Sequence, residues 1–368
     1  MNSYTQGKSG GDMVFIEIAK RLTDFDLTIV GPSMGARLCR KSGLKAKYLI
    51  TSKERKFGNV IKTYLKRMSE ALSIAISMDK DSYDILLGTS DVLTDILPIF
   101  YLKLKNPKAL WVQHTFHMIP RQRPLSWVVQ RIGLLLAYFI CDVVIVDSYM
   151  QENAMLYLRF DPSKIEVNYP GIDLEYLESI SENISTGYDG VFMAQLRKSK
   201  GVFELIKIWK KICLTHPDAR LGIIGKGNAE VLADLNDAIK RESLSKNVDI
   251  LGFLPNDKAF STIKSSKVFV FPSSEEGFGI SFLESQALGV PVVAWDLPVF
   301  DEVFPKGSIK VNKGKLDSFA EKVTFLLDDK KSWNQFSKDA MENSRRFTWD
   351  ITAKKELEII NKFLGKIK

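Results

Sequence analysis

Val268-Phe269-Val270-Phe271-Pro272-Ser273-Ser274-Glu275-Glu276-Gly277-Phe278-Gly279 runs into the segment 280–288 and then into Gly289-Val290-Pro291-Val292-Val293. An apolar strand enters a tight polar loop, a short helix follows and stops at Gly289, and a second apolar strand begins. Such a unit belongs to a parallel sheet with helical crossovers. Gly277 and Gly279 let the backbone approach a ligand closely. The helix start offers unpaired N–H groups and a positive dipole end, an arrangement suited to phosphate. Glu276 and Glu284 stand with seven residues between them, one in the loop and one in the helix. Carboxylates so placed accept hydrogen bonds from the hydroxyls of a sugar and of a ribose, on either side of a diphosphate. Taken alone, Glu275 and Glu276 serve equally well as acidic residues favouring a helix dipole.

The same alternation extends through the chain. In the first half the sequence predicts strands at 27–30, 48–50, 85–87, 109–112, 143–146 and near 165–167, with amphipathic helices at about 13–22, 60–78, 92–104, 126–140 and 150–157. The segment 177–189 turns polar and is the expected interdomain linker. Strands resume at 190–194, 220–224, 248–251, 268–271 and 292–294, and helices after Phe319, Trp333 and Trp349 close the chain. The fold class expected is α/β: two doubly wound Rossmann-like domains facing each other across a cleft. They cover residues 1–176 and 190–348, with helix 349–368 crossing back to the first. Ligands of such sheets sit outside the carboxyl ends of the strands. One departure concerns the start. Met1-Asn2-Ser3-Tyr4 runs straight into a loop ending Gly10-Gly11-Asp12 and a helix, with no strand before it, and the true N-terminus is expected upstream.

Composition narrows the classes. At 368 residues the chain is long enough for two cores, and 45% hydrophobic with 26% charged residues is ordinary for a globular protein. No cleavable signal sequence is visible, and the apolar run 128–146 is broken by Gln130, Arg131 and Asp142. Three scattered cysteines argue for a reducing compartment and against a disulfide framework or zinc site. A cytoplasmic location is expected. The net charge of +8 is concentrated from Arg37 to Arg67, where eleven Lys and Arg face Glu54 alone. No nucleic-acid module accompanies it, so nucleic acid is not an expected partner. A solubilising face and an anionic membrane surface remain the two readings.

Several segments, in order, resemble the family-4 retaining glycosyltransferases, enzymes of the GT-B fold, over nearly the whole chain. Gly190–Gly201 resembles the strand and loop that supply an arginine and a lysine to the donor diphosphate. Lys200 falls on the lysine; Gln195 occupies the arginine's place, and Arg197 is the candidate substitute. Gly225-Lys226-Gly227 resembles the turn beneath the nucleotide base, and the segment 251–255, with Leu254, the stretch whose backbone reads the base edge. By the same resemblance Glu276 contacts sugar hydroxyls and Glu284 the ribose. Gly277, Phe278 and Gly279 offer backbone amides. Gly10, Gly11 and Asp12 resemble a glycine loop before the first helix, with Asp12 near the acceptor. His114 and His117, read as following a strand that ends at Val112, resemble the histidine that meets donor sugar or acceptor. Their spacing of three also suits a metal, although no carboxylate or cysteine accompanies them locally.

The resemblance implies a hexosyltransferase moving sugar from a UDP- or GDP-sugar to a glycan or lipid-linked acceptor with retention of the α-configuration. No metal or other cofactor is expected. Two alternatives stay open: a catalytically weak nucleotide-sugar-binding partner protein, motivated by Gln195 and the missing strand, and another GT-B enzyme such as a sugar-nucleotide epimerase. Donor base, donor sugar, acceptor and oligomeric state cannot be read from the sequence.

Overall fold

The computed structural model describes residues 10–51, 60–182 and 187–367. In chain order its elements are α1 (Gly10–Arg21), β1 (Thr28–Gly31), α2 (Ser33–Lys41), β2 (Lys47–Ile50), α3 (Val60–Ser77), β3 (Ile85–Gly88), α4 (Leu93–Lys105), β4 (Leu110–Thr115), α5 (Pro124–Ile140), β5 (Val143–Val146), α6 (Tyr149–Tyr157) and β6 (Ile165–Val167). There follow α7 (Leu174–Ser179), β7 (Gly190–Met193), α8 (Val202–Thr215), β8 (Leu221–Ile224), α9 (Ala229–Arg241), β9 (Val248–Gly252), α10 (Asn256–Lys264), β10 (Val268–Phe271), α11 (Ile280–Ala287), β11 (Val292–Trp295), α12 (Pro298–Val303), β12 (Ser308–Val311), α13 (Leu316–Asp328), α14 (Lys330–Ser344) and α15 (Trp349–Ile367). Two compact units result: residues 1–171 with 349–368, and residues 172–348. The division falls at Gly171/Ile172, ahead of the polar stretch at 177–189. The reason is α7, whose Tyr176 hydroxyl donates to Asp257 and whose Glu178 pairs with Arg345, both within the second unit.

The second unit is one parallel sheet in the order β12-β11-β10-β7-β8-β9. Its strands are short and apolar; β8, β10 and β11 are buried along their whole length, as a sheet covered on both faces requires. The chain lays β8 and β9 to one side of β7, then β10, β11 and β12 to the other. The order therefore reverses between β7 and β10, and the loops after these two strands open at a topological switch point. Packing there is tight: a Cβ at Gly190 would lie 2.5 Å from the Trp209 ring. Phe282 and Phe304 stack at 3.9 Å between centroids, with Phe300 and Phe271 beside them.

The first unit departs from the single sheet that the sequence led us to expect. Its strands form two parallel sheets, β1-β2 and β3-β4-β5-β6, which are not hydrogen-bonded to each other among the described residues. The segment Met1–Ser9, where a central strand was sought, lies outside the described residues. Helix α15 packs on α1 and β4 within this unit, and Arg21 Nε bonds Asp350 Oδ1 at 2.6 Å. No helix among the described residues is long and apolar enough to cross a membrane. The thiols of Cys141 and Cys213 form no disulfide, and burial pushes that of Cys141 up to about 12.

Candidate functional site

The switch point is built from the loops that leave β7 and β10. Ser274 N and Oγ both donate to the Ser199 carbonyl, at 2.9 and 3.0 Å, and fasten the two loops together. Gly201 sits between them at φ +74, and a Cβ there would fall 1.9 Å from the Pro272 carbonyl oxygen. Only glycine fits. The clamp brings Lys200 Nζ to 2.6 Å from Glu276 Oε1, with side-chain exposures of 15% and 9%. Two candidates that are 76 positions apart in sequence are thus in direct contact. Gln195 and Arg197 lie on the exposed side of the β7 loop while Leu196 between them is buried, so alternation along extended backbone sets both polar groups outward.

Helix α11 begins at Ile280, behind Gly279 at φ +104, and no side chain caps its first amides. Those N–H groups carry the positive end of the helix dipole. The Phe278 side chain turns inward against Phe304 and Phe347, at 6.1 and 5.5 Å between centroids, which anchors the loop's end. Glu284 stands in the second turn of α11, and none of the described residues hydrogen-bonds its carboxyl. Loss of water around it pushes its pKa from 4.5 up to about 8. Its charge is felt by the Tyr176 hydroxyl, which is held neutral first by its own burial and then by Asp257. Tyr176 and Asp257 had no sequence signal, since neither stands in a glycine loop.

Glu284 makes stability depend on pH in a defined direction. Below pH 4.5 both folded and unfolded chains hold the proton. Above it the unfolded chain releases the proton while the folded one keeps it to about pH 8, so stability falls through that window. The slope is at most about 1.4 kcal/mol per pH unit. A Glu284→Gln chain is expected to lack this slope, so its melting temperature should gain on the wild type's from pH 5 to 8. Parallel melting curves in one buffer series check this.

The base-side candidates also meet. Gly225 N donates to the Gly252 carbonyl at 2.8 Å, and Lys226 Nζ lies 4.4 Å from the centroid of the exposed Phe253 ring. Gly225, at φ +149, would place a Cβ 1.8 Å from the Ala194 carbonyl oxygen. Gly227 packs on Leu196, and Leu254 follows Phe253 in irregular backbone before α10. The β7, β8, β9 and β10 loops are thereby stitched along one edge of the sheet.

In the first unit two expectations are corrected. Gly10, Gly11 and Asp12 are the first turn of α1 and not a loop before it; a Cβ on Gly11 would meet the Phe116 ring at 3.2 Å, and Asp12 is buried. Strand β4 runs on to Thr115, so His114 is a buried strand residue and not a loop histidine. Gln113 and His114 remain in the strand because their side chains are satisfied: Gln113 donates to the carbonyls of Ser90 and His114, and His114 Nε2 meets Glu356 Oε1 at 2.8 Å. Glu356 is fully buried on α15, and its other oxygen accepts from Asn168 at 2.9 Å. Glu356→Ala strands both partners and is expected to cost roughly 2–4 kcal/mol, read as a lower midpoint in denaturant melts, with Glu356→Gln markedly milder.

His117 lies in the loop after β4, and among the described residues no group of three or more His, Cys, Asp or Glu is placed to hold a metal. Its loop is clamped to α5 by Gln130, which donates to the His117 carbonyl at 2.8 Å and to Asp91 at 2.9 Å. Burial pushes the Asp91 carboxyl up to about 7. The basic region Arg37–Arg67 is divided among α2, β2 and α3, while Lys53, Arg55 and Lys56 lie outside the described residues.

Comparison with known proteins agrees with this geometry. Residues 180–343 match the family model described as glycosyl transferases group 1. An uncharacterized glycosyltransferase of Methanocaldococcus jannaschii is 29% identical over 255 residues, covering 64% of this chain and 63% of that one. A GDP-mannose-dependent monoacylated alpha-(1-6)-phosphatidylinositol monomannoside mannosyltransferase of Corynebacterium glutamicum is 32% identical over 146 residues, 37% of each chain. Both matches span less than two thirds of the relative's length. Anabaena HepE, solved with UDP and glucose, superposes with a TM-score of 0.79 at 17% identity, covering 97% of each chain. The fold is GT-B, and the matches support a group 1 glycosyltransferase.

Proposed function

We propose that the protein is a retaining glycosyltransferase that moves a hexosyl unit from a UDP- or GDP-sugar to a glycan or lipid-linked acceptor. The observation carrying this reading is the switch-point arrangement itself: Lys200 against Glu276, uncapped α11 amides, and the partnerless Glu284 carboxyl. The donor diphosphate lies over the start of α11, with Lys200 and Arg197 supplying positive charge. Glu276 receives sugar hydroxyls and Glu284 the ribose hydroxyls. As the bond between sugar carbon and phosphate oxygen lengthens, negative charge gathers on the phosphate, where fixed cations and amides stabilise it most. The acceptor hydroxyl attacks the same face of the ring, and its proton passes to the departing phosphate oxygen. These groups supply the charge that a divalent metal otherwise would, so we propose catalysis without one. His114 enters as an acceptor-side group held in place by Glu356.

The UDP in HepE and the GDP-mannose in the name of the Corynebacterium relative support a nucleotide-sugar donor; that relative's phosphatidylinositol acceptor supports a lipid-linked one. A panel of UDP- and GDP-sugars with candidate acceptors, followed by mass spectrometry, tests the proposal. Acceptor-dependent release of nucleoside diphosphate, with an α-linked product, is expected. Saturable binding without turnover would favour a nucleotide-sugar-binding partner protein, the reading that the exposed Gln195 motivates.

A further inference from the structure

The first unit carries an apolar surface that its own core does not use. Along α5, Leu125, Val128, Ile132, Leu135 and Phe139 are 40, 42, 44, 55 and 65% exposed. Their spacing of three and four residues places them in one stripe on the outer face of the helix. Gln130, Gly133, Leu134 and Ala137 fill the inner face, against α4 and the sheet. A stripe of this length, about 20 Å at 1.5 Å per residue, is more than the scattered apolar exposure of ordinary surfaces.

The helix and the segment leading into it carry charge of one sign. Neither α5 nor the segment 116–123 before it contains Asp or Glu, and together they carry Arg121, Arg123 and Arg131. Arg121 and Arg131 flank the Trp127 ring, with guanidinium carbons 5.6 and 5.7 Å from its centroid. Tryptophan and arginine at the margin of an apolar stripe match the level of lipid headgroups, where an amphipathic ring and a cation are both satisfied. Helix α4 lies between α5 and α3, and α3 adds exposed Ile61 and Leu65, at 56% each, with Lys62 beside them.

We propose that the outer face of α5 docks on an anionic lipid surface: the apolar stripe enters the acyl boundary, and Arg121, Arg123 and Arg131 meet the headgroup phosphates. This surface is separate from the Arg37–Arg67 stretch and stands independently of the transferase reading. The test is co-sedimentation of the full chain at low salt with phosphatidylcholine vesicles, with and without phosphatidylglycerol. The wild type should bind the phosphatidylglycerol vesicles and release as salt is raised. Ile132→Ser/Leu135→Ser/Phe139→Ser should weaken that binding about tenfold or more, with an unchanged melting temperature because all three side chains face outward. Arg121→Glu/Arg131→Glu should weaken it too. Absence of wild-type binding, or equal binding by the serine variant, overturns the proposal. Loss of binding only on Lys62→Glu/Lys66→Glu would assign the contact to α3. Concentration-dependent dimerisation abolished by the serine variant, without vesicle binding, would assign the face to a second copy.

Discussion

Lys200→Met is expected to lower sugar transfer by about a hundred- to a thousandfold, the range seen when one preorganised donor to developing negative charge is removed, in initial-rate assays at saturating donor. Among the described residues Lys200 is the one cation paired with Glu276, and its mostly enclosed ammonium group acts with little screening. A structural loss and a catalytic loss are separable here. Removing the lysine alone leaves the Glu276 carboxylate enclosed without its partner and so also destabilises the fold. Lys200→Met/Glu276→Gln removes both charges, and its melting temperature should recover toward the wild type while its rate does not. Recovery of rate in the double variant would show that transfer needs neither charge and would remove both residues from the proposed donor site.

The second large effect is on the scaffold. Gly201→Ala places a methyl group where the Pro272 carbonyl stands, 1.9 Å away, at a φ of +74 that L-residues adopt at a cost. Neither neighbour is the flexible end of a side chain, so relief requires the β7 and β10 loops to part. A loss of roughly 3 kcal/mol or more is expected, equivalent to about 6–12 °C in the second unit's melting temperature. The same separation breaks the Ser274–Ser199 bonds and withdraws Lys200 from Glu276. Nucleotide affinity should therefore fall even at temperatures where Gly201→Ala remains folded. Unchanged stability and affinity would contradict the clamp.

Much of this was legible because the second unit obeys local rules. Strand β10, loop, α11 and β11 announce themselves through fully apolar strands and glycines whose freedom the backbone does require. What escaped was polar residues doing structural work. Gln113 and His114 end a hydrophobic run and read as loop, yet they stay in β4 because Ser90 and Glu356 satisfy them. Glu356 lies 242 positions from His114, and no local pattern links the two. Helix α2, Ser-Met-Gly-Ala-Arg-Leu-Cys-Arg-Lys, was overlooked for its four polar or charged residues, although Ala36 and Cys39 are buried. Likewise Gly10 and Gly11 suggested a loop but open α1, where a Cβ at Gly11 would press on the Phe116 ring at 3.2 Å. Spacing located Glu276 as a candidate and the family resemblance located Lys200; only the clamp at Ser199 and Ser274 shows that they touch.

Titration calorimetry of the full chain with UDP and with GDP tests the central claim most directly, with Glu284→Ala and Lys200→Met run in parallel. The account predicts one site per chain for one of the two nucleotides, affinity reduced about tenfold or more in each variant, and proton release near pH 7.5 as ribose hydroxyls draw the raised Glu284 carboxyl into its ionised form. Binding of neither nucleotide, or equal affinity in the wild type and both variants, would contradict it.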